Sequence, residues 1–205
     1  MMDWTNLELS HVLALAAALG FASGFRLYAL LFVIGLAGFF DWLALPDSMK
    51  LLAHPVILTV TGTLTVVELL ADKIPAIDSL WDSFHTFIRL PAGAALAAGL
   101  AGSFIGDNAI VTAALALIGG TFAATSHFAK TGVRATINTS PEPVSNWTAS
   151  VGEDVTWLTL VWLIVQHPLI AGVLTLALAI LCLWAIRKLW RGLRGLWRRF
   201  GGKIP

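Results

Sequence analysis

Apolar runs broken by short polar clusters make up most of this 205-residue chain. Leu9 to Ala22 is apolar but short, and Ser23-Gly24 interrupts it just before Arg26. Leu27 to about Trp42 predicts a second helix, ended by Pro46 and Asp47. His54-Pro55 then opens a third, roughly Val56 to Ala71, since proline suits the first helical turn, where its missing N–H removes no bond. Pro75 stops that helix. Ala76 to Leu90 reads as an amphipathic stretch, and Pro91 opens a small-residue helix over 91–105, whose Ala92 to Gly99 composition lets backbones approach closely. Gly106-Asp107-Asn108 signals a turn, Ala109 to Ala129 predicts another crossing, and Lys130 to Ser150 reads as a polar loop containing Pro141-Glu142-Pro143. Val155 to Val165 and Pro168 to about Trp184, separated by Gln166-His167-Pro168, complete the pattern.

So little charge over such lengths fits a bilayer better than a soluble fold. Hydrophobic residues are 58% and charged residues 12% of the chain, against roughly 45 to 50% and about 25% in soluble domains. Ala109 to Ala129 and Leu169 to Ile186 carry no Asp, Glu, Lys or Arg and approach or reach the roughly 20 residues that cross a bilayer as helix. The expected fold class is all-α, a polytopic helical membrane protein of about six to seven transmembrane helices in a single domain, 1–205. Two landmarks recur: Ser23-Gly24-Phe25-Arg26 with Thr131-Gly132-Val133-Arg134, and His54-Pro55-Val56-Ile57 with His167-Pro168-Leu169-Ile170. The echo suggests an internal duplication, 9–74 and 109–186, each half with an interrupted helix, joined by the 91–105 linker. Many transporters are built from such repeats, with broken helices near the binding site.

The formal net charge of +1 implies no acidic partner, and no nucleic acid is expected. The cations crowd instead into the tail, 187–205, where Arg187, Lys188, Arg191, Arg194, Arg198, Arg199 and Lys203 interleave with Trp190, Leu193, Leu196, Trp197 and Phe200. That is a basic amphipathic helix suited to anionic lipid headgroups, which places the C-terminus in the cytoplasm. Counting back through seven spans puts both His-Pro turns outside and the charged segment from Lys73 to Arg89 inside. The count changes if Leu9 to Ala22 is re-entrant. The N-terminus lacks the basic region of a secretory signal, so the first apolar run is expected to stay in the mature protein. Cys182 stands alone, which excludes an internal disulfide and a metal–thiolate cluster.

Candidate chemistry concentrates between Glu68 and Arg89, because an ionisable group in a bilayer needs a partner, water or a bound ion. Glu68 and Asp72, four apart, share a helical face at the end of the third span. Beyond Pro75, Asp78, Asp82, His85 and Arg89 form a stripe opposite Leu80, Phe84, Phe87 and Ile88. Glu68, Asp72, Asp78, Asp82 and His85 make a ligand set for a divalent cation; with Lys73 and Arg89 beside them they equally suit proton passage. A plainer reading stands next to both: a surface helix turns a charged stripe to water and pairs its charges within itself. Glu68, inside an apolar run, is the stronger site candidate, although Lys73, Arg26 or Arg134 could be its structural partner. A second cluster, Asn138, Glu142, Asn146, Glu153 and Asp154, is dense in oxygen donors. Folded back toward Glu68 it would complete one polar site; otherwise Glu153 and Asp154 simply begin a helix. Arg26 and Arg134 would brace or gate the broken helices. His11, His54, His127 and His167 are scattered, and the two before proline suit turns.

Ser23-Gly24-Phe25-Arg26-Leu27-Tyr28, Glu68 to Pro75 with Asp78-Ser79-Leu80-Trp81-Asp82 and His85 to Arg89, and Asn138 to Pro143 with Ser145-Asn146 and Glu153-Asp154 resemble the bacterial membrane family called domain of unknown function 4126. The resemblance covers most of the chain; it implies an inner-membrane protein and supplies no activity. Glu68-Leu69-Leu70-Ala71-Asp72-Lys73 is also similar to the Glu-x-Gly-Asp-Lys-Ser/Thr signature of cation/proton exchangers, whose acidic residues bind the metal. It departs by an extra residue between Glu68 and Asp72, by lacking the Gly, and by Ile74 in the hydroxyl position. No Gly-x-Ser-x-Gly elbow, His-Glu-x-x-His or phosphate loop is present, so no enzyme is expected. The expected function is a small transporter or channel-like protein for a cation or protons, with a divalent cation as the one candidate cofactor and a homo-oligomer as a candidate assembly. The alternative is a non-transporting membrane scaffold or lipid-binding protein.

Overall fold

The computed structural model describes residues 2–103, 108–137 and 143–200. Asn138, Glu142 and the Gly106-Asp107 turn lie outside the described residues, as does the side chain of Asn146. Seven α-helices build the described chain: α1 (Leu9–Phe25), α2 (Leu27–Phe39), α3 (Pro55–Ala71), α4 (Pro75–Ala98), α5 (Ala109–Ile137), α6 (Pro143–Gln166) and α7 (Pro168–Phe200). Two short strands, β1 (Met2–Asp3) and β2 (Leu43–Ala44), pair in parallel. The chain is all-α in class.

The β1–β2 pairing ties the start of α1 to the end of α2, so these two helices form a hairpin with Arg26 at its tip. Ser48 Oγ donates to the Gly99 carbonyl (2.5 Å) and the Leu7 N–H to the Ser103 carbonyl (2.9 Å), closing the same end of the bundle. Gly172 packs on Ala14 and Gly132 on Leu189, so α7 runs alongside α1 and α5 in the same direction. Successive helices therefore alternate in direction, with the β1–β2 pair at one end and Arg26, Asp72 and Arg134 at the other.

Val12 and every residue from Leu15 to Gly24 are buried, which makes α1 the inner post of the bundle. Its contact with α5 and α4 runs through missing side chains. A Cβ on Gly20 would stand 2.3 Å from the Gly119 carbonyl oxygen, and one on Gly119 would stand 2.4 Å from that of Gly93. Small residues thus bring three helix backbones together, the packing mode of membrane helices.

Among the described residues, three helical stretches are long and apolar enough to cross a membrane: Ala109–Ile137, Trp147–Gln166 and Pro168–Gly192. A fourth arises if the 3-10 turn Asp47–Ala53 and α3, bent by 66°, count as one span. With the composition, these make the chain a membrane protein, but the count falls below the six to seven spans expected. The 17 residues of α1 and 13 of α2 reach only about 25 and 20 Å at 1.5 Å per residue, short of a hydrocarbon core about 30 Å thick.

Three further expectations need correction. Pro91 does not open a helix; α4 runs through it from Pro75 to Ala98, and the hydrogen bond lost there is one that lets a helix bend rather than stop. Lys130 to Ser150 is not one loop, because α5 continues to Ile137 and α6 begins at Pro143. Thr131-Gly132-Val133-Arg134 lies inside α5, so the break at Arg26 has no counterpart there, although both His-Pro pairs do precede helices, α3 and α7.

The departure that matters most concerns α4. Phe87 is 83% exposed and Leu80, Phe84 and Ile88 lie on the same outer side, whereas Asp78, Asp82, His85 and Arg89 are buried, Arg89 completely. This helix is amphipathic in the reverse sense of a soluble surface helix. The water-facing stripe is excluded by that arrangement.

Candidate functional site: a buried charge network

Arg26 occupies the α1–α2 break in extended conformation (φ −143°, ψ 90°), its N–H still bonded to the Ala22 carbonyl. A Cβ on Gly24 would collide with Ser126 Oγ and the Ala123 carbonyl, so this glycine lets the hairpin tip settle against α5. The Arg26 side chain is buried; its Nη2 lies 2.8 Å from Asp72 Oδ2 and also bonds Asp154 Oδ1. Asp72 terminates α3 one turn after Glu68, and both are fully buried.

Arg89 holds the deep end of the network. Its Nη2 donates to Glu68 Oε1 and its Nη1 to Asp82 Oδ1, both at 2.7 Å, and Nη1 also approaches His127 Nδ1 at 3.2 Å. A guanidinium only donates, so His127 Nδ1 accepts, and the neutral ring carries its proton on Nε2. That nitrogen lies 2.7 Å from Thr86 Oγ1, which in turn donates to the Asp82 carbonyl. His85 is oriented by the same logic. Its Nδ1 faces the Trp81 carbonyl (2.7 Å), an obligate acceptor, and its Nε2 faces the Tyr28 hydroxyl (2.9 Å). Trp81 stacks on the ring at 4.1 Å.

Nearer the bundle end, Lys130 Nζ stands 3.3 Å from Asp72 Oδ1, 3.7 Å from Asp82 Oδ1 and 4.0 Å from Glu153 Oε2. Arg134 grips Glu153 with two bonds of 2.9 Å, the paired geometry that guanidinium and carboxylate share, and Asp78 is buried within electrostatic reach of it. Lys73, bonded to Ser150 Oγ and 3.7 Å from Asp154 Oδ2, is part-exposed and marks the mouth. From Asp78 to Arg89 the network extends eleven residues along α4, about 16 Å.

The electrostatics follow from burial. Isolated charges in low dielectric are costly, and only pairing and hydrogen bonding make them tolerable. Burial works to raise the Asp72 carboxyl, but Lys130, Arg26, Arg134 and Arg89 overturn that and hold it below the ordinary aspartate range. Among the described residues, six carboxylates (Glu68, Asp72, Asp78, Asp82, Glu153, Asp154) meet five cations (Arg26, Lys73, Arg89, Lys130, Arg134). Glu68 Oε2 and Asp82 Oδ2 are buried and receive no hydrogen bond.

The expected metal set does not assemble: among the described residues no three His, Cys, Asp or Glu side chains converge as ligands. Glu68, Asp72 and Asp82 are instead turned to Arg89, Arg26 and Lys130, and His85 to Tyr28 and Trp81. Glu68 pairs with Arg89 rather than with Lys73, Arg26 or Arg134. Glu153 and Asp154, from the second cluster, do reach the first, whereas Asn138, Glu142 and the Asn146 side chain are outside the described residues. Sequence reasoning missed Lys130, His127, Thr86, Tyr28 and Ser150. His127, Lys130 and Arg134 stand at i, i+3 and i+7, one helical face, a signal hidden by reading Lys130 as the start of a loop.

Two clefts among the described residues lie away from the network. One of about 470 Å³ between Thr5, Ser48, Ala101 and Thr112 opens at the opposite end of the bundle, and one of about 500 Å³ between α5 and α7 is lined mainly by apolar residues, with Thr136 and Lys188. No curated protein and no solved structure matches the chain. The profile of the domain of unknown function 4126 matches residues 13–188, and the chain belongs to that family.

Proposed function

We propose that this protein is a small ion-handling transporter or channel-like protein of the cytoplasmic membrane, in which the buried network moves protons or a cation. One observation carries the reading: Glu68 and Asp82 converge on Arg89 with His127 as a fourth, neutral member, all buried inside the helix bundle. Exchangeable protons on carboxylate and imidazole, at depth and one short of charge balance, are what a relay requires. All seven helices cross or enter the bilayer in alternation, the short α1–α2 hairpin being shielded by its neighbours. The basic end of α7, where Lys188 lies over Trp184 and Arg194 over Trp190, suits anionic lipid and so supports a cytoplasmic side for the network's mouth and the C-terminus. No chemical catalysis is assigned to it.

The test is flux. Wild-type protein in liposomes carrying a pH-sensitive dye dissipates an imposed proton or cation gradient, and Glu68→Gln, which keeps the shape but not the charge, reduces the rate at least tenfold. Wild-type liposomes no leakier than empty ones, for protons and common cations alike, sink the reading. A scaffold in which the charges only lock helices together is favoured by one observation, that each network cation already has a carboxylate. That outcome would appear as unchanged permeability with loss of folding in charge-removal variants.

A further inference from the structure

We infer that Lys130 Nζ occupies the seat of a monovalent alkali cation, acting as a tethered ion that the free ion displaces at the loss of one proton. The inference rests on the ion-handling reading above and names its substrate class and exchanging residue. Four oxygens from four different elements surround the ammonium: Asp72 Oδ1 (3.3 Å) after α3, Asp82 Oδ1 (3.7 Å) on α4, Glu153 Oε2 (4.0 Å) on α6 and the Phe25 carbonyl (3.4 Å) at the end of α1. This oxygen shell suits a hard cation, and the ammonium fills it loosely, since all four distances lie beyond the usual range of N–H···O hydrogen bonds. A second observation points the same way. Asp82 Oδ2 is buried without a hydrogen bond, so the carboxylate that faces the ammonium through Oδ1 keeps acceptor capacity that Arg89 and Lys130 leave unused.

Charge selects the ion. The groups facing Lys130 are Arg26 beside the α1 terminus, Asp72, Asp82 and Arg89 from α3 and α4, Glu153 from α6, and His127 and Arg134 on its own helix. Replacing the ammonium by one monovalent cation leaves their net charge unchanged, whereas a divalent ion would add an uncompensated buried charge. The step balances as Lys130 ammonium plus M⁺ giving neutral Lys130 amine, seated M⁺ and one proton, which leaves past the part-exposed Asp154 and Lys73. Lysine suits this role because its ammonium can give up a proton, whereas a guanidinium cannot.

The experiment uses purified full-length protein in detergent, weakly buffered at mildly alkaline pH. Lithium, sodium and potassium chlorides are titrated against choline chloride, with heat and released protons recorded together. Wild type is expected to bind at least one alkali ion and release about one proton per ion bound. Lys130→Arg, which keeps the charge but cannot deprotonate, should neither bind nor release. Lys130→Gln, with the seat vacated, should bind with no proton released. Failure of wild type to bind any alkali cation, or wild-type proton release from either variant, overturns the inference. Should one variant not fold, the other decides. Proton flux in liposomes without ion-linked proton release would sink this inference alone, and ion-linked release without flux would sink the transport reading alone.

Discussion

Arg89 shows how the network constrains a single residue. Its two carboxylate partners are as buried as it is, so Arg89→Met strands Glu68 and Asp82 without a counter-charge. The expected loss is roughly 3 to 5 kcal/mol of stability, read as a lower melting temperature in detergent; adding Glu68→Gln and Asp82→Asn to the same chain should recover most of it. Failure of the triple variant to recover would mean that Arg89 acts through its packing instead. Asp72 provides a pH signature. Because its carboxyl is held below the ordinary value, its ionised form stabilises the fold at every pH above the unfolded pKa of about 3.9, and that stabilisation disappears as pH falls through the lower folded value. Melting temperature should therefore fall on acidification below about pH 4. Asp72→Asn, already weaker at neutral pH, should show a flatter profile there.

Elements depend on close approach as much as on charge. Gly119→Val would drive a side chain into the backbone of α4, and the loss should exceed the roughly 1 to 3 kcal/mol typical of overpacking. Gly152→Ala on α6, where a Cβ meets nothing, should be neutral or stabilising by up to about 1 kcal/mol. The two melting temperatures check both. Helix existence was legible from apolar runs and from Pro55, Pro75 and Pro168, which begin α3, α4 and α7. Helix ends were less so where charge occurred: Lys130 and Arg134 look like loop residues until Asp72, Asp82 and Glu153 are seen to neutralise them inside the bundle. The site was half legible for the same reason. Periodicity placed Asp78, Asp82, His85 and Arg89 on one face of α4, but only the environment of Phe84 and Phe87 tells whether that face is wet or buried.

At the scale of the whole molecule, the proposed crossing of the bilayer by α1 to α7 in alternation puts the two ends of the bundle on opposite sides of the membrane. In a Cys182→Ser background, Asp47→Cys should react with an impermeant thiol reagent on intact cells, and Arg191→Cys only after permeabilisation. Labelling of both from one side would contradict an odd number of crossings. The inside-out polarity of α4 also bears on how the protein is made. Its carboxylates and Arg89 emerge from the ribosome before Lys130, Arg134, Glu153 and Asp154 exist, and alone such a helix is a poor substrate for lipid. What it has at that moment is Glu68 of α3, which joins Asp82 on Arg89. The α3–α4 pair can thus enter the bilayer as a partly self-neutralised hairpin, with Asp72 met by the earlier Arg26 and later also by Lys130 on α5. The charges left over on that hairpin, Asp72 and Asp82 among them, are met in full only when Lys130 of α5 arrives, so the second half of the chain completes the neutralisation that the first half begins.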